Sequence, residues 1–219
     1  MALSSLVEAL SLAASRVLQI DEGELSGWWT PVMGGRGDEA QLYLYDLLPG
    51  GAGYARAVGN DLFAVLDAAD ALLSGCDCPT SCYRCIRHYK NNWIHASLDR
   101  HLALALLRHL RTGELPSLSD QEKGQALVTL CQFLTLRGIS FEEGAQLEGT
   151  RVPLIVKLPN SRICVDVHHP LIDPVAHKSS IIEGARAQFL ETLSLDAFSL
   201  AHDLPAAVSR LKLPSGIAG

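Results

Sequence analysis

Apolar positions along the first eighteen residues recur at helical spacing. Leu3, Leu6, Val7, Leu10, Ala13, Ala14, Val17 and Leu18 share one stripe of a 3.6-residue repeat, which predicts an amphipathic helix over residues 3–18. It begins directly after Met1, as expected of an ordinary first helix or of a chain cut from, or docked on, a larger protein. Asp21-Glu22-Gly23 breaks it, and the period changes. Trp28-Trp29-Thr30-Pro31-Val32 and the alternating Gln41-Leu42-Tyr43-Leu44-Tyr45 predict a β-hairpin. Its tip carries Arg36-Gly37-Asp38, which reads as a loop rather than an adhesion motif.

Gly50, Gly51 and Gly53 then punctuate the stretch before Tyr54. Glycines between a strand and a helix can present backbone N–H groups to a phosphate. No Lys-Ser/Thr follows them and the G-x-G-x-x-G spacing is absent, so a tight turn with positive φ is the better reading. Helical spacing resumes near residue 60 (Leu62, Phe63, Val65, Leu66, Ala69, Leu72, Leu73) and stops at Gly75. It returns at Leu98, Leu102, Ala105, Leu106 and Leu110, with Arg100, Arg108 and Arg111 assigned to the polar side, and ends at Gly113 and Pro116.

Residues 114–119 read as a linker dividing a first domain, 1–113, from a second, 120–219. The second is expected to contain a helix over 120–137 and a strand within 139–148. A hairpin of Val152–Leu158 with Arg162–Val167 should follow, then a helix over 178–193, a strand from Asp196 to Ala201 and a last helix from Pro205 to Leu211. The fold class is therefore α+β: a helical module with a β-hairpin, followed by a small α/β domain.

Composition and charge narrow the function. The chain has 219 residues, 48% of them hydrophobic, which is ample for a buried core, and a net charge of −6. That charge is uneven. Residues 1–75 hold 3 basic and 10 acidic groups, residues 76–111 hold 6 and 2, and residues 112–219 hold 9 and 12. A local island of +4 thus permits nucleic-acid contact on a surface otherwise too acidic for it. No stretch reaches the run of about 18 apolar residues needed for a membrane span. The N-terminus has no basic leader and Glu8 interrupts it, so a reducing, cytoplasmic setting is expected.

In that setting Cys76-Asp-Cys78-Pro-Thr-Ser-Cys82-Tyr-Arg-Cys85 is a metal-ligand pattern rather than a disulfide framework. Four thiolates suit tetrahedral Zn2+, with an iron–sulfur cluster as the rival occupant and buried or redox-active thiols as the bland alternative. His88, His95 and His101 could replace a thiolate, though surface or capping roles fit them as well. Arg84, Arg87 and Lys90 are candidate contacts to DNA phosphates, and Trp93 a candidate platform for an unpaired base, against the alternative of a solvated surface. Cys131 and Cys164 read as small core residues.

The opening helix, Leu18-Gln-Ile-Asp21-Glu-Gly-Glu-Leu, Leu42-Tyr43-Leu44-Tyr45-Asp46, Pro49-Gly50-Gly51-Ala52-Gly53-Tyr54 and the cysteine quartet together resemble the MrfA-type zinc-binding domain of DEAD/DEAH-box helicases over about residues 1–111. The resemblance implies that Cys76, Cys78, Cys82 and Cys85 hold one Zn2+. It also implies association, in cis or in trans, with a superfamily 2 helicase in DNA repair or in anti-phage defence of the DISARM and Druantia kind, on DNA that is single-stranded or at a junction. The chain has no Walker A or DEAx sequence of its own, so the expected role is a non-catalytic accessory or C-terminal module. The order of elements in the second half is similar to the PD-(D/E)xK nuclease core, which would make that domain restriction-endonuclease-like. Its acid-x-Lys position reads Asp166-Val167-His168, without the lysine, and the upstream acid could be Glu142, Glu143 or Glu148, so the domain is expected to be a degenerate nuclease-like fold that has lost this chemistry or an unrelated α/β module. The alternative function is thus a metal-dependent DNA nuclease centred on residues 142–168.

Overall fold

The computed structural model describes residues 1–34, 39–147, 150–173, 180–187 and 190–211. The chain divides into two compact units, Met1–Glu114 and Leu115–Gly219. Arg36-Gly37-Asp38 and Glu148 lie outside the described residues.

The first unit is built on helix α1 (Ala2–Leu18), which buries Leu6, Ala9, Leu12, Ala13 and Ala14. Three serines share its inner surface, and each spends its hydroxyl on the carbonyl four residues back, as Ser11 does on Val7 (3.0 Å). Small side chains there let the hairpin of β1 (Leu25–Pro31) and β2 (Ala40–Asp46) come close. At Gly27 a Cβ would stand 2.4 Å from Val7 Cγ1, so only glycine fits. Trp28 pairs across the hairpin with Tyr43, and Trp29 Nε1 donates to Ser4 Oγ (3.1 Å).

After β2 the glycine turn takes positive φ at Gly50, Gly51 and Gly53 (84°, 75° and 85°). Its backbone donors are already committed: Asp46 accepts from Gly53 N–H (2.7 Å) and Ala55 N–H (2.8 Å). The carboxylate thereby does for helix α2 (Tyr54–Asn60) what a bound anion would do. Helix therefore starts at Tyr54, earlier than periodicity indicated, and breaks at Asp61 before α3 (Leu62–Ser74). Helices α1, α3 and α4 (Arg100–Thr112) bury Val65, Leu73, Leu98 and Leu107 among them. On the outside, Arg108 and Arg111 of α4 pair with Asp70 (3.3 Å) and Asp67 (2.5 Å) of α3. Such exposed pairs contribute under about 1 kcal/mol each.

The second unit opens with α5 (Asp120–Leu136), whose first turn is closed by a reciprocal Ser119–Glu122 capping box. Strands β3 (Ser140–Glu143), β4 (Gln146–Leu147), β5 (Thr150–Arg151), β6 (Leu154–Lys157) and β7 (Arg162–His168) follow. Helix α6 (Ser180–Ala187), β8 (Glu191–Asp196), α7 (Ala197–His202) and α8 (Leu204–Ser209) complete it. One sheet has the order β3-β6-β7-β8, antiparallel except for the parallel β7–β8 pair; β4 and β5 form a separate two-stranded ribbon. Alternation decides the layers. Leu154, Val156, Val165 and Val167 join one core with α5, α7 and α8, while Ile155 and Cys164 join another with Ala185 of α6.

Two expectations for this unit are corrected. The strand expected from Asp196 to Ala201 is helix α7, and the real strand lies five residues earlier at Glu191–Asp196, overlapping the last three residues of the expected 178–193 helix. Leu193 and Leu195 alternate into register beside Val165 and Val167, and Asp196 Oδ1 accepts Ser199 N–H (2.7 Å) to start the helix. The 139–148 strand is interrupted at Gly144, where φ is 63°.

Hydrogen bonding to Ala55, outweighing the upward push of burial together with further bonds from Gly53, Ala52 and Tyr54, holds the Asp46 carboxyl below the ordinary aspartate value of 3.8. Its contribution to stability is therefore complete above pH 3.8 and lost as pH falls through the lowered native value. Asp46→Asn should melt at lower temperature than the parent at neutral pH, with the gap closing below that value. Equal gaps at both pH values in thermal melts would contradict this.

Candidate metal centre

Gly75 ends α3 with φ −78°, and its importance is spatial: a Cβ there would sit 2.8 Å from the Ala71 carbonyl oxygen. The chain turns at that point into the Cys76–Cys85 loop. Cys85 N–H and Arg87 N–H both donate to the Cys82 carbonyl (3.1 and 3.0 Å), winding the second half of the loop into a tight knuckle. A 3-10 helix (Tyr89–Ser97) then leads to α4, whose N-cap Asp99 accepts from His101 and Leu102 N–H.

All four sulfurs lie within 4.8 Å of one another. Cys76 Sγ is 3.5 Å from Cys82 Sγ, Cys78 is 3.6 Å from Cys85, and Cys82 is 3.9 Å from Cys85. A tetrahedron with Zn–S bonds of about 2.3 Å has sulfur–sulfur edges of about 3.8 Å, whereas a disulfide needs about 2.05 Å. The separations fit one tetrahedral ion and exclude cross-links among the four. Two backbone donors also address the sulfurs: Cys82 N–H to Cys85 Sγ (3.1 Å) and Arg84 N–H to Cys82 Sγ (3.4 Å). The donor set is thus complete, with no open position for substrate.

The thiols are unequal. Burial pushes Cys82 up, but the Arg84 N–H and hydrogen bonds from the other three thiols outweigh it and bring it down to about 6. Burial, reinforced by the neighbouring sulfurs, pushes Cys78 up to about 12. The free cluster thus concentrates its negative charge on Cys82, and bound Zn2+ would hold all four sulfurs as thiolates. Arg84 is exposed, and the Cys82 sulfur beside its guanidinium raises its pKa.

Beneath the loop lies a residue the sequence misassigned. Arg100 is not on the polar side of α4; it is only 8% exposed. Its Nε donates to the Cys78 carbonyl (2.8 Å), its Nη1 to the Leu73 carbonyl (3.0 Å), and its backbone N–H to the Thr80 carbonyl (2.7 Å). One guanidinium thereby ties the last turn of α3 to the first knuckle. No local pattern marks it, because the partners of its guanidinium lie 22 and 27 residues upstream.

The other candidates separate. Arg87 is half-buried and committed to the fold, with Nε on Ser81 Oγ (2.8 Å) and Nη2 on the His95 carbonyl (3.4 Å). Lys90 is exposed, with Nζ 3.4 Å from the Gly23 carbonyl, and Trp93 is 74% exposed. Exposed Tyr83 and Tyr89 stand beside them in sequence. His88 and His95 take no part in the cluster: His88 Nε2 donates to Glu8 Oε2 (2.9 Å), and His95 Nε2 meets Asn91 Oδ1 (2.8 Å). Among the described residues the four cysteines are the one group able to hold a metal. In the second unit Glu142 pairs with Lys157 (2.9 Å), and Asp166 lies on β7. Burial pushes the Cys131 and Cys164 thiols up to about 11.

Two outcomes follow for this centre. Arg100→Ala should lose about 3 kcal/mol in urea unfolding, from two charged hydrogen bonds, and release its metal to a chelator faster than the parent; unchanged release would contradict its role. Cys82→Ser should be metal-free by elemental analysis and open to protease within residues 76–93, because a structural zinc contributes on the order of 10 kcal/mol. Full zinc content in that variant would disprove the ligand set.

Comparison with known proteins agrees with this geometry. Residues 6–86 match the family described as the MrfA Zn-binding domain. In an alignment of 217 positions that covers 96% of its length, the chain is 32% identical to Druantia protein DruE of Escherichia coli (strain UMEA 4076-1), and it spans 12% of that relative's length. No solved structure matches the chain. Residues 6–86, which carry all four clustered cysteines, thus match the MrfA Zn-binding domain, and the cofactor of that segment is Zn2+.

Proposed function

We propose that the chain is the zinc-bearing, non-catalytic module of a larger DNA-processing assembly in anti-phage defence, working with a superfamily 2 helicase in cis or in trans and touching single-stranded or junction DNA. The observation that carries this reading is the extent of the match to Druantia protein DruE: it runs through both units of this chain yet occupies a small part of that protein. In this reading Cys76, Cys78, Cys82 and Cys85 bind one Zn2+ that is structural, since four protein sulfurs leave no position for a reactant.

DNA contact falls to the exposed groups after the zinc loop. Lys90 and Arg84 offer cations for phosphates, and Tyr83, Tyr89 and Trp93 offer exposed rings on which unpaired bases stack. Arg87 supports the loop from below. A DNA contact of this kind is salt-dependent, because each neutralised phosphate of a single strand releases counterions.

The test is titration of labelled single-stranded DNA at several salt concentrations. Replacing both Arg84 and Lys90 by alanine should weaken binding and reduce the slope of log affinity against log salt by about 1.4. An unchanged slope would remove the DNA contact from the reading. Cleavage of plasmid with Mg2+, lost in Asp166→Ala, would replace the reading with a nuclease centred on residues 142–168.

A further inference from the structure

Within the first unit, α1, β1 and the 3-10 helix line a cleft of about 670 Å³. That is the size of a small-molecule site. Its composition is unusual for a gap between packed elements. Trp28 and Trp93 line it while remaining 57% and 74% exposed. Its floor is polar and rigid. Glu8 Oε2 accepts from both His88 Nε2 and Asn91 Nδ2, each at 2.9 Å. Asn91 is itself only 2% exposed and donates also to the Ile86 carbonyl (2.9 Å). Among the described residues Glu8 Oε1 accepts no hydrogen bond. On the same wall Ser11 and Ser15 donate to helix carbonyls, and Ser4 Oγ accepts from Trp29 Nε1.

We propose that this cleft receives one unpaired nucleobase of a single strand, stacked against Trp93 or Trp28 and read by the Glu8 carboxylate through an exocyclic amino group. The inference rests on the DNA-contact reading above and gives it a site. Charge sets the orientation. A carboxylate floor, with Glu22 also lining the cleft, repels phosphate and can only accept, so it favours the amino-bearing edges of cytosine, adenine and guanine over thymine, which has none. Lys90, exposed and lining the same cleft, is the cation available to the phosphate that stays outside. A held carboxylate loses little freedom on binding, which favours discrimination over mere attraction.

Fluorescence anisotropy with oligo-dC and oligo-dT at low salt tests this on the zinc-loaded chain. Oligo-dC should bind about tenfold more tightly than oligo-dT, as one hydrogen bond to a charged acceptor allows. Glu8→Gln presents an amide that also donates, and should shift the preference toward oligo-dT. Trp93→Ala combined with Trp28→Ala, both at exposed positions, should weaken both oligomers by about fivefold or more while leaving the melting temperature unchanged. Equal binding of the two oligomers, unaffected by Glu8→Gln and by the double tryptophan variant, overturns the base site and leaves the phosphate contact standing. Absence of binding to either oligomer overturns both.

Discussion

Four sulfurs within 4.8 Å of one another form an arrangement that only a cation or retained protons can sustain, because thiolates at that spacing repel. The imbalance between Cys82 and Cys78 expresses the same constraint. Without an ion the cluster settles its charge on Cys82, the sulfur with the best donors, and favours the proton on Cys78. A bound zinc ion would remove the conflict by neutralising the sulfurs together. Everything that follows in the chain, the 3-10 helix and the start of α4, hangs from that loop.

The protein supports the loop from the opposite side with a second cation, Arg100, which meets carbonyls rather than sulfurs. Burying a guanidinium is costly unless its donors are matched, and here the matching oxygens come from the two segments that must be kept together. Zinc and arginine therefore fix different strata of the same knuckle. Arg87 repeats the device on a smaller scale between Ser81 and the His95 carbonyl. The basic island is consequently not one surface. Part of it is internal scaffolding, and part, Arg84 and Lys90, faces outward.

A network of Glu8, His88, Asn91 and His95 joins the first helix to the segment just beyond the metal loop. Whatever orders the loop also orders the floor of the cleft, because His88 lies three residues after Cys85. A zinc ion held in the loop would thus act on the cleft at a distance, by fixing the chain that supplies its far wall. Metal loop and cleft are linked in this way through the chain between them.

By itself the sequence located the candidate metal site. Cysteine spacing is local, and four ligands within ten residues leave few other arrangements. It also determined the helices α1, α3, α4 and α5, the first hairpin, and the β6–β7 hairpin, all of which follow from short-range periodicity and turns. The β8 strand escaped it, since Glu191–Asp196 becomes a strand only by parallel pairing with β7 and reads locally as the end of a helix. Helix α2 escaped for a related reason: its first turn depends on Asp46, in the preceding strand. Tertiary structure alone decided that Arg100 is internal, that Arg87 is committed and that Glu8 meets His88 across 80 residues. Those pairings depend on where distant segments come to lie, and a pattern of neighbours along the chain carries no record of that.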